Sequence, residues 1–176
     1  MKTTNIYYVL DCSHKMQGNK ITAMSENVIK VARALKFAKG KTNLHVITYR
    51  DKAKISSPFD RFAAYGNPNL AEGLKMLESA IRYQRKYNDE QTRSIFILHS
   101  GDTVLQGWNK PLERLYSLKE FAFGLRYVVK YGNPDKYAKQ AFYRFTDSEE
   151  RILPYFSENR LISLFIYDKK INLLIN

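Results

Sequence analysis

Residues 6–16 read IYYVLDCSHKM, and this stretch decides the fold. Five consecutive apolar residues run directly into Asp11, after which the sequence turns polar. An uninterrupted apolar run of this length is typical of a strand that is buried on both faces of a parallel sheet. An acidic residue at the end of such a strand lies where open α/β sheets bind ligands, at the carboxyl ends of their strands. We therefore expect a ligand-binding edge beside Asp11.

The composition is that of a globular protein in a reducing compartment. The chain has 176 residues, of which 44% are hydrophobic, and a single cysteine, Cys12. One cysteine excludes an internal disulfide and favours the cytoplasm. No apolar run approaches the ~20 residues that span a bilayer, and no separate secretory segment precedes the first strand. We predict one cytoplasmic domain over residues 1–176, with no membrane contact.

The chain is strongly basic, with a net charge of +12 and a pI near 9.7. A basic excess raises the affinity for any polyanion, but it does not choose among nucleic acid, anionic lipid and acidic protein. The sequence contains no recognisable nucleic-acid motif, so solvated helix faces are the favoured interpretation. Nucleic-acid binding stays as the alternative function, and its best cluster is Arg82, Tyr83, Arg85, Lys86 and Tyr87.

Strand and helix patterns alternate along the rest of the chain. Apolar runs predict strands at residues 44–49, 94–98, 121–129 and 151–153, with a weaker antiparallel edge strand at 53–56. Helical spacing of apolar residues predicts helices within residues 21–35, 70–81, 111–118, 134–145 and 157–165. This alternation predicts a doubly wound α/β domain with a mainly parallel sheet, one antiparallel edge strand and helices on both faces.

Three segments together resemble a von Willebrand factor type A domain. Residues 11–16, Asp-Cys-Ser-His-Lys-Met, resemble the family's Asp-x-Ser-x-Ser-Met loop, and residues 65–74 resemble its Gly-Gly-Thr segment with the helix that follows. Residues 97–102 resemble its Leu-Thr-Asp-Gly. With residues 106–108, Gln-Gly-Trp, the chain is most similar to the TerY-like branch of tellurium resistance. The resemblance implies a vWA/Rossmann-like fold and an adaptor role in stress response or signalling.

The same resemblance bears on the family's metal-ion-dependent adhesion site, which holds a hard divalent cation through oxygen ligands. Carried over position by position, Asp11 and Ser13 match, whereas Lys15 replaces the second serine, Pro68 the threonine and Ser100 the aspartate. A lysine ammonium within ~4 Å of the cation would repel it by roughly 4 kcal/mol at an effective dielectric near ~20. The resemblance thus implies a degenerate site with no metal and no cofactor, in which Asp11 and Ser13 are vestigial.

Several alternatives stay open at this edge. Lys15 either pairs with Asp11, its ammonium standing at the cation position, or points to solvent. A shift of two residues in the loop register would bring Asp102 to the cation position, and His14 and His99 with Asp11 would form a transition-metal site. We favour a hydrogen-bonded strand-end residue for His99 and a loop residue for His14.

Catalysis has little support in the sequence. Cys12 with a histidine would make a nucleophile and base, but a residue beside a strand-end aspartate more often packs under its loop. The loop around residues 66–68 lacks the Gly-Lys-Ser/Thr ending of a phosphate-binding loop. We therefore predict that the protein is not an enzyme.

The leading prediction is a protein-interaction module that docks a partner at the carboxyl ends of its strands, the docking pole. Trp108 is predicted in a loop beside this pole, either as an interface anchor or as a cover for a sheet edge or helix end. The other residues predicted to line the pole are Asp11, Ser13, His14, Lys15, Asn67, Ser100 and Asp102.

Overall fold

The computed structural model describes residues 3–37, 41–88 and 92–155. Within these residues the strands form one six-stranded sheet in the order β3-β2-β1-β4-β5-β6. Every neighbouring pair is parallel except β2 and β3, which confirms the mainly parallel sheet with one antiparallel edge strand. The strands are β1 Thr3–Asp11, β2 Lys41–Tyr49, β3 Ala53–Ser56, β4 Arg93–Ser100, β5 Leu125–Lys130 and β6 Ile152–Pro154.

The helices lie on both faces of this sheet, as predicted. Successive side chains of a strand point to opposite faces, so Tyr7 and Val9 join one apolar cluster while Tyr8 and Leu10 join the other. The first cluster includes residues of four helices, and the second includes the apolar stripe of one. These are α2 Leu70–Gln84, α3 Asn109–Tyr116, α4 Lys119–Ala122 and α5 Lys136–Thr146 on the first face, and α1 Asn19–Leu35 on the second.

The central position of β1 explains its uninterrupted apolar run. Ile6 is 1% exposed and the next four side chains are fully buried, because strands flank β1 on both sides and helices cover both faces. Full burial of a large apolar side chain stabilises the folded state by about 1.5–3 kcal/mol. This strand therefore anchors the domain and fixes the position of Asp11 at its end.

One element was predicted wrongly. The apolar run at residues 121–129 is not one strand, because Phe121 lies in α4 and β5 begins only at Leu125. Phe121 is fully buried against the rings of Phe96 and Phe145, and a short apolar run alone does not distinguish a strand from a buried helical turn. The predicted helix at residues 157–165 lies outside the described residues.

In the described part of the chain, no helix combines the length and the apolar character that a membrane crossing requires.

Candidate functional site

The carboxyl ends of β1, β2 and β4 lie side by side and bring the predicted loops together. Asp11 is paired with Tyr49 in the sheet, and Leu10 with His99. The loop after β1 also donates the His14 amide to the Gly66 carbonyl at 3.0 Å. The three segments that carried the family resemblance therefore meet at one edge of the sheet.

Asp11 is fully buried and joins two of these loops. Its Oδ1 accepts the backbone N–H of Ser13 at 2.8 Å, and its Oδ2 accepts that of Gly101 at 3.0 Å. A Cβ at Gly101 would lie 3.0 Å from the Cβ of Lys15, so glycine permits this close approach. Burial raises the pKa of Asp11, against the opposing effect of the two amides. We call Asp11, Ser13 and Gly101 the Asp11 junction.

The hydroxyl groups beside the junction are also engaged. Ser13 and Ser100 are fully buried, and the Ser13 Oγ accepts the Lys15 amide at 3.3 Å. The Ser100 Oγ accepts a hydrogen bond of 3.3 Å from the phenol of Tyr49, whose pKa burial raises well above its usual value. The helix α2 packs directly on this tyrosine, since a Cβ at Gly73 would lie 2.9 Å from its ring. The buried hydroxyls of Ser13 and Ser100 therefore form hydrogen bonds within the protein, beneath the surface of the docking pole.

The outer part of the pole contains His14 and Lys15. His14 is exposed, and its Nδ1 hydrogen-bonds to the Gly66 carbonyl at 2.7 Å. Lys15 is half-buried, and its carbonyl accepts the Lys20 ammonium at 3.3 Å. Both Lys15 and Asp11 belong to the described residues, and no ion pair joins them. The ammonium therefore does not stand beside the carboxylate.

Asn67 and Asp102 complete this outer part. Asn67 is exposed, and its side-chain amide donates to the Asp51 carboxylate at 2.7 Å, which lowers the pKa of that carboxyl. Asp102 forms an ion pair of 3.5 Å with Lys20. A cation at Asp102 would have to compete with this lysine.

Trp108 corrects the sequence prediction. Its side chain is only 2% exposed and belongs to the apolar cluster beneath α3, at the position that precedes this helix. An interface anchor must be accessible, so the prediction of Trp108 as an anchor is wrong. The alternative prediction, a side chain that covers a helix end, agrees with this burial.

His99 and Cys12 are buried, in agreement with the favoured predictions. The His99 Nδ1 hydrogen-bonds to the phenol of Tyr131 at 2.9 Å, and burial lowers the pKa of His99 to about 3. Cys12 is 2% exposed, and burial raises the pKa of its thiol to about 12. Across residues 3–37, 41–88 and 92–155, no group of three or more His, Cys, Asp or Glu side chains is placed to hold a metal ion.

The basic cluster at the end of α2 is partly neutralised. Arg82 pairs with Glu78 at 2.9 Å, and Arg85 pairs with Glu120 at 2.6 Å. The Lys86 ammonium lies 5.2 Å from the centroid of a tyrosine ring. Two of its three cationic groups therefore have acidic partners.

Sequence reasoning missed a cationic cleft beside Cys12. It is lined by Arg50, Lys54 and Arg61, and the Arg50 guanidinium lies 3.6 Å from the centroid of the Tyr65 ring. These cations are spread over a strand end, an edge strand and a loop, so no run of basic residues marks them in the sequence. The short basic turn at residues 50–52 was the available signal.

The fold is that of a doubly wound α/β domain in which three loops meet at the carboxyl ends of the strands. The chain belongs to the von Willebrand factor type A family, since the model of that domain matches residues 5–140, more than half of the chain. Domains of this family commonly act as protein-interaction modules. No curated protein sequence matches the chain.

Two solved structures of proximal thread matrix protein 1 from the mussel byssus are similar to this chain. Crystal form 2 has a TM-score of 0.64 at 14% identity, over 92% of this chain and 44% of that protein. The form described as having a zinc-occupied MIDAS motif has a TM-score of 0.67 at 14% identity, over 93% of this chain and 46% of that one. The chain thus spans less than half the length of these neighbours, and the likeness shows the fold alone.

Proposed function

We propose that this domain is a non-enzymatic adaptor that docks a protein partner at its docking pole without a bound cation. The Asp11 junction carries the proposal. Both carboxylate oxygens of Asp11 accept backbone amides, so the carboxylate at the first family position joins the loops after β1 and β4. Membership of a family of interaction modules supports the docking role.

The residues at the five family positions do not fit a hard divalent cation. Such a cation needs several free oxygen ligands. The Asp11 and Ser13 oxygens each accept a backbone amide, and the Ser100 hydroxyl accepts from a buried tyrosine, so part of their acceptor capacity is already used. Lys15 brings a positive charge and Pro68 no side-chain ligand. These contacts support a degenerate site.

Burial divides the predicted docking residues into two groups. Asp11, Ser13 and Ser100 are fully buried, so in this proposal they position the loops and do not touch the partner. The partner contacts fall to the accessible side chains of His14, Lys15, Asn67 and Asp102. The cytoplasmic location and the TerY-like role in stress response or signalling remain proposals that rest on the sequence resemblance.

A capture experiment with the full chain tests this function. Partners retained from the native host are compared between wild type, Lys15→Glu and Lys139→Glu, which makes the same charge reversal on the exposed face of α5. We expect Lys15→Glu to lose a partner that wild type and Lys139→Glu retain, both with and without EDTA. Calorimetric titration with Mg²⁺, Mn²⁺ and Zn²⁺ should give no binding heat. Binding of Mg²⁺ together with loss of the partner in EDTA would instead establish a working metal site.

Polyanion binding is the second candidate function. It is supported by the net charge of +12 and by a groove of about 950 Å³ at the opposite pole. Arg93 and Lys119 line this groove together with Phe123, whose side chain is 90% exposed. Exposed rings beside cations suit single-stranded nucleic acid. Fluorescence anisotropy with oligo(dT) at physiological salt distinguishes the two candidate functions. Only polyanion binding predicts that the oligonucleotide binds and that Arg93→Gln weakens its binding.

A further inference from the structure

The cationic cleft lies between the turn that joins β2 to β3 and the loop at residues 57–65. Its main part has a volume of about 220 Å³. A smaller recess of about 110 Å³ adjoins it and shares Cys12, Thr48, Arg50 and Lys54 as lining residues. Arg61 from the loop completes the cationic lining of the main part. The turn after β2, the edge strand β3 and one loop thus bring three positive side chains to one small cavity.

Arg50 is held in place at this cleft. Its guanidinium stacks on the Tyr65 ring at 3.6 Å from the centroid, and one Nη donates to the Ala63 carbonyl at 3.3 Å. An arginine has five N–H donors, so most of them remain for a ligand. A stacked, planar guanidinium loses little further entropy when it binds an oxyanion.

Two acidic residues lie at the cleft, Asp60 in its lining and Asp51 beside Arg50, and each accepts an amide hydrogen bond. The Asp60 carboxylate accepts the Ser57 amide at 2.9 Å, and the Asp51 carboxylate accepts Asn67 at 2.7 Å. Among the described residues, Lys54 and Arg61 form no ion pair. With three cations and the one carboxylate of Asp60 in its lining, the cleft keeps a net positive charge.

The cleft also offers a neutral donor. The hydroxyls of Thr48 and Ser56 are 2.9 Å apart, and both residues line the cavity. One hydroxyl donates to the other, which leaves one O–H of the pair to donate to a ligand. Cations and a hydroxyl donor in a cavity of this size form a site for a compact oxyanion.

We propose that this cleft binds the phosphoryl group of a phosphorylated side chain on a partner protein. A phosphate monoester carries about −1.5 to −2 charges and three acceptor oxygens, which suits three cations better than the single charge of a carboxylate does. The cleft opens beside β3, an edge strand, where Ile55 is 58% and Phe59 is 54% exposed. An edge strand with apolar neighbours suits the flanking residues of a peptide, which favours a protein over a free metabolite. The proposal does not depend on binding at the docking pole.

Nuclear magnetic resonance of the ¹⁵N-labelled full chain tests the proposal. Three otherwise identical peptides with a central phosphoserine, serine or glutamate are titrated, together with inorganic phosphate. We expect the phosphoserine peptide to shift the amides of residues 48–56 and 60–65 and to bind at least about tenfold more tightly than the other probes, since a phosphate forms more charge-assisted hydrogen bonds. Lys54→Gln and Arg61→Gln should each weaken it by about five- to tenfold.

Lys139→Gln is the matched control, because it removes one positive charge from the exposed face of α5. Equal weakening by Lys139→Gln would show attraction to net charge only and overturn the site. If the glutamate peptide binds as tightly as the phosphoserine peptide, the ligand is not a phosphoryl group. If inorganic phosphate binds as tightly as the phosphoserine peptide, the ligand is not a partner protein. Circular dichroism checks that the variants fold. If Lys54→Gln does not fold, the affinity of Arg61→Gln tests the proposal, because Arg61 lies in a loop and its replacement disturbs no strand. Absence of shifts at the cleft in wild type would also overturn the proposal.

Discussion

Among the described residues, one end of the sheet buries a carboxylate and the other a guanidinium, and the backbone binds the two in opposite ways. At the carboxyl end, Asp11 accepts two backbone amides. At the amino end of β5, Arg126 is 5% exposed and donates to the carbonyls of Phe121 and Phe145 at 2.6 and 2.9 Å. A carboxylate thus joins loops through N–H groups at one end, and a guanidinium joins helix ends through C=O groups at the other.

Asp11 and Arg126 differ in the side chains that they contact. Arg126 also pairs with Asp147 at 3.0 Å, and it lies 5.1 Å from the centroid of the Tyr116 ring. Asp11 has no ion-pair partner among the described residues, and its pKa is raised by burial. Both groups are bound internally, so a buried charge at a strand end is not by itself evidence for a ligand.

Replacing the buried arginine should have the largest effect. Arg126→Met leaves several carbonyls and Asp147 without their donor, so we expect a loss of about 4 kcal/mol in the free energy of unfolding. Arg126→Lys keeps the charge but not the planar set of donors, and it should lose roughly half as much. Urea denaturation followed by circular dichroism measures both. A loss below about 1 kcal/mol for the methionine variant would show that the amino end does not depend on this side chain.

Removing the buried carboxylate should have the next largest effect. Asp11→Ala leaves the amides of Ser13 and Gly101 without an acceptor, and we expect a loss of about 3 kcal/mol in the same measurement. Asp135→Ala is the control, because this carboxylate accepts one amide, that of Ala138 at 2.8 Å, at the exposed start of α5. Its loss should be about 1 kcal/mol. Equal losses in the two variants would contradict the structural role of the Asp11 junction.

The buried histidine of the pole should make stability depend on pH. The pKa of His99 falls from about 6.5 in the unfolded chain to about 3 in the folded protein, so only the unfolded chain takes up this proton in between. Stability contributed by neutral His99 is present above about pH 6.5 and is lost as the pH falls, by roughly 1.4 kcal/mol per pH unit. Denaturation of wild type and His99→Gln between pH 7.5 and 4.5 should show a smaller slope for the variant. If the free energy of unfolding has the same pH dependence in wild type and variant, His99 takes up its proton in the folded protein as it does in the unfolded chain, which would contradict the lowered pKa.

The features that follow from the periodicity of apolar residues could be predicted from the sequence. The buried strand at residues 6–10 and the alternation of strands and helices predicted the sheet, and Asp11 was placed at its edge. Contacts between distant segments could not be predicted, because no local pattern specifies that the Gly101 amide approaches Asp11 or that Trp108 packs beneath α3. Arg126 left one visible signal, since it is a lone cation within an apolar stretch.

The smallest expected effect concerns Lys15 and the carboxylate below it. A double-mutant cycle with Asp11→Asn and Lys15→Met should give a coupling energy below about 0.3 kcal/mol, because no ion pair joins the two side chains. The reference cycle uses Lys20 and Asp102, which pair at 3.5 Å with side chains that are each 34% exposed. Its coupling should be about 0.5 kcal/mol. A coupling above about 1 kcal/mol for the first pair would place the ammonium beside Asp11, at the cation position, and would give Asp11 the ionic partner that distinguishes Arg126.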